Sequence, residues 1–238
     1  MLTLLTFPAG FGDFSLSPFC TKVAWLLEMS GETWQRQDVI NPRRLPKRKL
    51  PVLQLANGRM ISDSRVIRAY LDERGGHFDT GLTAEARDMA LLFERMVEEH
   101  LYFLLLTDRW ANDAVWPAVR QAFFGSIPGL VRRPVTGMIR RSILRDLQGQ
   151  GIGRMNPEER MQRADADLKV IAAQLSDRPF LLTDHPTAAD ASIAAIVAAL
   201  RDTPVATALT RRVRNDAVLS DYVDRMRETL PLGHVSRK

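Results

Sequence analysis

The sequence predicts a chain in two parts: a small α/β unit over residues 1–77 with elements in the order β-α-β, then β-β-α, and an all-helical unit over residues 84–238. Three observations carry that expectation. Apolar residues come in short strand-like runs around one amphipathic helix before residue 62, whereas after residue 84 every strong pattern is helical. An Asn57-Gly58 pair separates two β-rich runs, the strongest short-range hairpin signal. A polar stretch near 78–83 lies between the two patterns and reads as a linker.

Taken in order, Leu2 to Phe7 reads as a buried strand ended by Pro8 and Gly10. Pro18 opens a helix over 18–30, with Ser17 at the N-cap region, Val23, Leu26 and Leu27 at helical spacing and Gly31 as the C-cap. Thr33 to Ile40 suits a second strand, and the basic segment Asn41 to Lys49 a loop or irregular helix. Pro51–Leu55 and Arg59–Ile61 form the hairpin, and Val66, Ile67, Tyr70 and Leu71 mark a helix stopped by Gly75-Gly76. In the second part, Met89, Leu92, Phe93, Met96, Val97, Leu101 and Leu104 make one long stripe. Further helices are expected near 116–124, 134–148, 157–176, 187–200 and 216–229. Thr187 and Asp190 have the spacing of an N-capping box, assigned to folding and not to chemistry.

Composition excludes several classes. A 45% hydrophobic and 26% charged chain is neither disordered nor membrane-spanning, and its longest apolar run, Ala191 to Leu200, is too short for a span. The net charge of +5 comes mainly from arginine and is modest for a nucleic-acid binder. Cys20 is the single cysteine, so no internal disulfide exists, and with no signal-like N-terminus a cytoplasmic location is expected. His77, His100, His185 and His234 lack ligand spacing, and no metal is expected. The run from Val131 to Arg145 is basic and interleaved with apolar residues; it reads as a solvated helix face, with an acidic partner or a membrane surface as the alternative.

Three segments carry chemistry: Ser17-Pro18-Phe19-Cys20 between the first strand and helix, Leu50-Pro51-Val52-Leu53 at the hairpin, and Ile61-Ser62-Asp63-Ser64 before the next helix. In this order they resemble the glutathione transferases, which join an N-terminal thioredoxin-like domain to an all-helical C-terminal domain. The resemblance implies a soluble homodimer that takes glutathione as co-substrate, activates its thiol and conjugates it to a small hydrophobic electrophile, as in detoxification. A serine stands where thioredoxin-like proteins place the first cysteine of their redox pair, so dithiol chemistry is not expected. The implied catalytic group is Ser17, whose hydroxyl at a helix N-terminus would donate to the thiolate; Ser15 is a second hydroxyl within reach. Lowering a thiol pKa by about two units corresponds to roughly 2.7 kcal/mol.

The resemblance further implies that Leu50, before a cis Pro51, pairs its backbone with the cysteinyl amide of glutathione. Asp63 and Ser64 would read the ammonium and carboxylate of the γ-glutamyl end, against the plainer reading that both only cap a helix. Lys49, among Arg43, Arg44, Lys47 and Arg48, is the nearest base for the glycyl carboxylate. Phe103, Thr107, Arg109 and Trp110, with Phe124 as a further candidate, are the walls of the electrophile pocket that the resemblance implies. Within the family, the Ser17–Val23 and Lys49–Leu53 segments, Tyr102 to Trp110, Phe123-Phe124-Gly125 and Gly149 to Arg154 look most like the metaxin and failed-axon-connections branch. That branch implies the alternative of a non-catalytic glutathione-binding or scaffold protein.

Overall fold

The computed structural model describes residues 1–233; His234 and Lys238 lie outside the described residues. Strands β1 (Leu2–Thr6), β2 (Trp34–Asp38), β3 (Val52–Gln54) and β4 (Met60–Ser62) form one sheet ordered β2-β1-β3-β4. β2 runs parallel to β1, while β3 and β4 run antiparallel to their neighbours. Helix α1 (Pro18–Ser30) is the crossover between β1 and β2, and α2 (Ser64–Asp72) follows the hairpin. Pro18 presets the first helical φ, and Gly31, at φ 68°, supplies the left-handed residue that ends α1. α1 is buried far beyond one stripe, from Cys20 through Leu27, because it has the sheet on one side and the helical half on the other.

The helical half comprises α3 (Ala84–Met96), α4 (Tyr102–Trp110), α5 (Trp116–Phe124), α6 (Gly129–Gln150), α7 (Pro157–Leu175), α8 (Ala188–Arg201), α9 (Ala208–Arg214) and α10 (Ala217–Thr229). A π-helical turn, Val97–Leu101, joins α3 to α4 without a break. α8 is its axis. Every residue from Ala188 to Leu200 is buried, and the many alanines let α1, α3 and α10 approach closely. The expected box at its start is part of a larger buried knot: Asp190 accepts from Thr187 N–H and Oγ1 (2.8 Å each), from Leu181 N–H (2.8 Å) and from the Tyr222 hydroxyl (2.8 Å). Burial pushes the Asp190 carboxyl up, while these donors pull the other way.

Four details depart from the sequence reading. Met89 and Leu92 leave the expected stripe and face outward; the buried row is Ala90, Phe93, Val97, Leu101 and Leu104. The 78–83 segment is not a loose connection, since Phe78 and Leu82 are buried and Asp79 pairs with Arg68. α6 begins at Gly129, five residues before Pro134; a proline early in a helix removes a bond near its end, where the open carbonyl can meet water. α9 is one short element that a pattern search over longer windows passes over. The halves are also sewn together by charge: Lys22, nearly out of water, meets Glu98 (2.6 Å) and Glu94 (3.6 Å), and Glu94 in turn meets Arg68 (2.6 Å).

Candidate active site at the start of the first helix

The polypeptide between β1 and α1 makes a tight loop. Gly10 and Asp13 exchange backbone hydrogen bonds, and Leu16 N–H returns to the Pro8 carbonyl (3.0 Å). Two guanidiniums hold it from opposite sides. Arg36 of β2 donates to the Phe7 and Phe14 carbonyls and lies 4.3 Å over the Phe14 ring. Arg109 of α4 donates to the Leu16 carbonyl (3.1 Å), the Ala199 carbonyl (2.7 Å) and Thr203 Oγ1 (3.0 Å). Burial pulls the Arg109 guanidinium down to about 10, with Asp13 among the acids opposing it, so it remains a cation at neutral pH. The Asp13 carboxyl is buried in the same loop; burial pushes it up to about 6 although Arg227 stands 3.6 Å away.

The two serines of this loop are used differently. Ser15 is buried: its hydroxyl donates to the Phe7 carbonyl (3.0 Å), lies 3.0 Å from Thr6 Oγ1, and accepts from Ser17 N–H (3.2 Å). Ser17 is half-buried at the N-cap of α1 with extended backbone (φ −106°, ψ 121°), yet its side chain makes no cap hydrogen bond. Its hydroxyl is therefore not spent on the helix amides, which is the usual role of serine at this position. Cys20, fully buried one turn on, has its thiol pushed up by burial, against the hydrogen-bonding influence of Thr6, Phe7, Ser17 and Ser15. It packs in the core beside Leu5, Leu50 and Val52, and burial favours its neutral thiol.

The other end of the site is built by the hairpin and the basic segment. The Leu50–Pro51 bond is cis, and Leu50 lies just outside the ladder that starts at Val52. Asp63 sits at φ 90°, ψ 127°, a region sparsely occupied by non-glycine residues. Its Oδ1 caps α2 by accepting from Arg65 N–H (3.0 Å), and its Oδ2 faces Lys47 Nζ at 3.2 Å. Ser64 is buried as the first residue of α2. Lys47, on one of two short 3₁₀ turns, is thus the base that meets Asp63, while Lys49 is exposed. Among the described residues, Arg43, Arg44, Arg48 and Lys49 have no carboxylate partner.

Of the four residues expected to wall a pocket on the helical side, three are enclosed. Thr107 donates back to the Phe103 carbonyl (2.8 Å) within its own helix, Arg109 is engaged as above, and Trp110 is buried against Trp116, Phe123 and Phe124. The family resemblance offered them as pocket walls, but α5, α6 and α8 pack around α4 and cover them. Phe103 is half-buried beside Tyr102, and Tyr102 packs edge-on against Phe19 of α1 at 4.8 Å. Phe7 meets Phe123 in the same manner at 5.4 Å. Half-buried aromatics from the two halves therefore pack against one another, Phe19 two residues beyond Ser17 among them.

Comparison with known proteins decides what this arrangement belongs to. A glutathione S-transferase N-terminal domain model matches residues 18–115, and a glutathione S-transferase C-terminal domain model matches residues 164–226. Isoprene-epoxide–glutathione S-transferase of Rhodococcus sp. strain AD45 is 30% identical, with 96% of this chain and 98% of that protein covered. The chain belongs to the glutathione transferase family. Failed axon connections of Drosophila melanogaster is also 30% identical over 94% of this transferase-family chain, which spans about half (53%) of that relative's length. The crystal structure of glutathione transferase GSTFuA3 from Phanerochaete chrysosporium superposes with a TM-score of 0.68 at 16% identity, covering 99% of this chain and 98% of the other.

Sequence reasoning missed the parts of this transferase fold that act through burial. Arg36 lies on an otherwise polar strand, and Arg109 in an aromatic helix; neither neighbourhood says that the guanidinium will reach loop carbonyls. Asp13 likewise reads as a turn residue. A signal was present for Lys47: two prolines at 42 and 46 promise a segment that turns back, and the strand-helix junction at Asp63 is the nearest acid on the site's rim.

Proposed function

We propose that this chain is a serine-type glutathione transferase in which Ser17 holds the glutathione sulfur as a thiolate. The observation that carries the reading is the Ser17 hydroxyl itself, half-buried at a helix N-terminus and free of the capping bond such a serine ordinarily makes, while Ser15 is committed to the loop. Asp63 Oδ2 takes the γ-glutamyl ammonium in the place where the Lys47 ammonium now stands, and Ser64 with the α2 amides takes the carboxylate. Leu50 offers its backbone to the cysteinyl amide, Pro51 shapes that turn, and Lys49 or a neighbouring base meets the glycyl carboxylate.

In the reaction the thiol loses its proton to solvent, the hydrogen bond from Ser17 and the helix field stabilise the anion, and the sulfur attacks an electrophilic carbon. For an epoxide, the C–S bond forms as a C–O bond breaks, and the alkoxide takes up a proton. The aromatics around Phe103, Phe7 and Phe19 favour a small apolar electrophile, and the Rhodococcus relative makes isoprene epoxide the first to try. The exposed apolar residues Val66 on α2 and Met89 and Leu92 on α3 support homodimerisation through those helices. Light scattering should then show a dimer that Leu92→Glu converts to a monomer.

Calorimetric titration with glutathione, paired with the thiolate absorbance of the bound ligand, tests the site. Asp63→Ala should weaken binding at least tenfold, a loss of about 1.4 kcal/mol or more. Ser17→Ala should bind nearly as well but lose the thiolate band at neutral pH. No heat at millimolar ligand sinks the proposal. Binding without a thiolate band in the wild type would instead leave a glutathione-binding scaffold of the metaxin-like kind.

A further inference from the structure

Between Ala114 and Arg145 the chain contains no Asp or Glu and six arginines: Arg120, Arg132, Arg133, Arg140, Arg141 and Arg145. This one stretch carries more positive charge than the whole protein's net +5. Two of the six are turned inward. Arg132 holds the Ile127 and Gly125 carbonyls, and Arg140 holds the Trp110 carbonyl and Asp113. Arg133, Arg141 and Arg145 are exposed and, among the described residues, have no carboxylate partner.

The same helix displays its apolar residues to solvent. Leu130 is 97% exposed and Met138 62%, with Val131 and Val135 also open. Leu130, Pro134, Met138, Arg141 and Arg145 follow one another at spacings of three and four, so an aliphatic tip and a basic stem share one side of α6. Such a face asks for a surface that is apolar within and anionic at its edge.

We infer that the exposed face of α6 is a peripheral docking site for anionic phospholipid, with Leu130, Val131, Val135 and Met138 entering the acyl boundary and Arg133, Arg141 and Arg145 meeting headgroup phosphates. A second copy is a poor occupant, because two-fold pairing would bring guanidinium against guanidinium. A nucleic acid would satisfy the arginines but leave the four aliphatic side chains in water. No helix among the described residues is long and apolar enough to cross a membrane, so the contact would be superficial.

Sedimentation of the full chain with vesicles of phosphatidylcholine, with and without phosphatidylglycerol, tests the inference. Binding should require phosphatidylglycerol, weaken at high salt, and fall about fivefold for each charge removed in Arg133→Gln and Arg141→Gln. Leu130→Ser with Met138→Ser should lose binding even at low salt, with near-ultraviolet circular dichroism unchanged. The inference is overturned by no association with phosphatidylglycerol vesicles at low salt, or by association that neither pair of substitutions moves. Retention on heparin, or self-association abolished by Leu130→Ser, without vesicle binding would overturn it as well.

Discussion

The loop carrying Ser17 is gripped by two guanidiniums that are almost out of water, whereas the segment carrying Asp63 meets a single lysine in the open. Arg36 and Arg109 fasten three carbonyls of the 7–16 loop from the sheet and from the helical half. Lys47 and Asp63 are 58% and 44% exposed, and solvent screens their attraction. The contrast is one of restraint: the first segment is fixed by burial, the second held only by a solvent-screened pair. On the proposed reading, a hydroxyl that faces a sulfur is useful only in a fixed place, while a carboxylate that exchanges an internal ammonium for a ligand's ammonium is better left loosely paired.

If burial is what fixes the Ser17 loop, its removal should cost most there. Arg109→Leu leaves the Leu16 and Ala199 carbonyls and Thr203 without their donor, and denaturant unfolding should show a loss of about 3–5 kcal/mol. A loss below about 1 kcal/mol would mean that the loop does not depend on this grip.

Next comes the pH dependence of the same loop. Because burial raises the Asp13 carboxyl to about 6, the native state holds its proton more tightly than the unfolded chain does. That contribution is fully present below about pH 4 and is lost as pH rises through about 6, amounting to roughly 3 kcal/mol by linkage. Stability curves for Asp13→Asn should lack this decline between pH 4 and 7, and identical curves for variant and wild type would break the argument.

Smaller effects sharpen the comparison. Ser17→Ala should change stability by less than about 0.5 kcal/mol, below the cost of about 1 kcal/mol for losing a true N-cap, because the hydroxyl caps nothing. At the open end, Lys47→Met should also cost less than about 0.5 kcal/mol. It should leave glutathione affinity unchanged or tighten it a few-fold, since Asp63 would no longer be shared; a tenfold weakening would show that Lys47 itself holds the ligand.

Much of the fold was legible because it rests on local rules. Pro18 and Gly31 bracket α1 as expected, Asn57-Gly58 turns the hairpin, and Thr187 with Asp190 opens α8. The candidate site residues were legible by position: Ser17, Pro51, Asp63 and Ser64 each stand at the element junction where the sequence placed them. What was not legible is which polar groups the fold had already used. Thr107, Arg109 and Trp110 were expected as a pocket wall from the family resemblance, but a helix with neighbours on several sides has no single outward face.

The sequence by itself determined the order of elements, the two-part division, the missing redox cysteine and the acid-free arginine stretch, because these depend on neighbours along the chain. Tertiary structure decided that Ser15 is committed to the loop while Ser17 makes no capping bond, that Lys47 meets Asp63, and that Arg109 serves the loop from another element. Those outcomes depend on desolvation and on hydrogen-bond partners brought together from distant positions, and such pairings exist only once the chain has closed on itself.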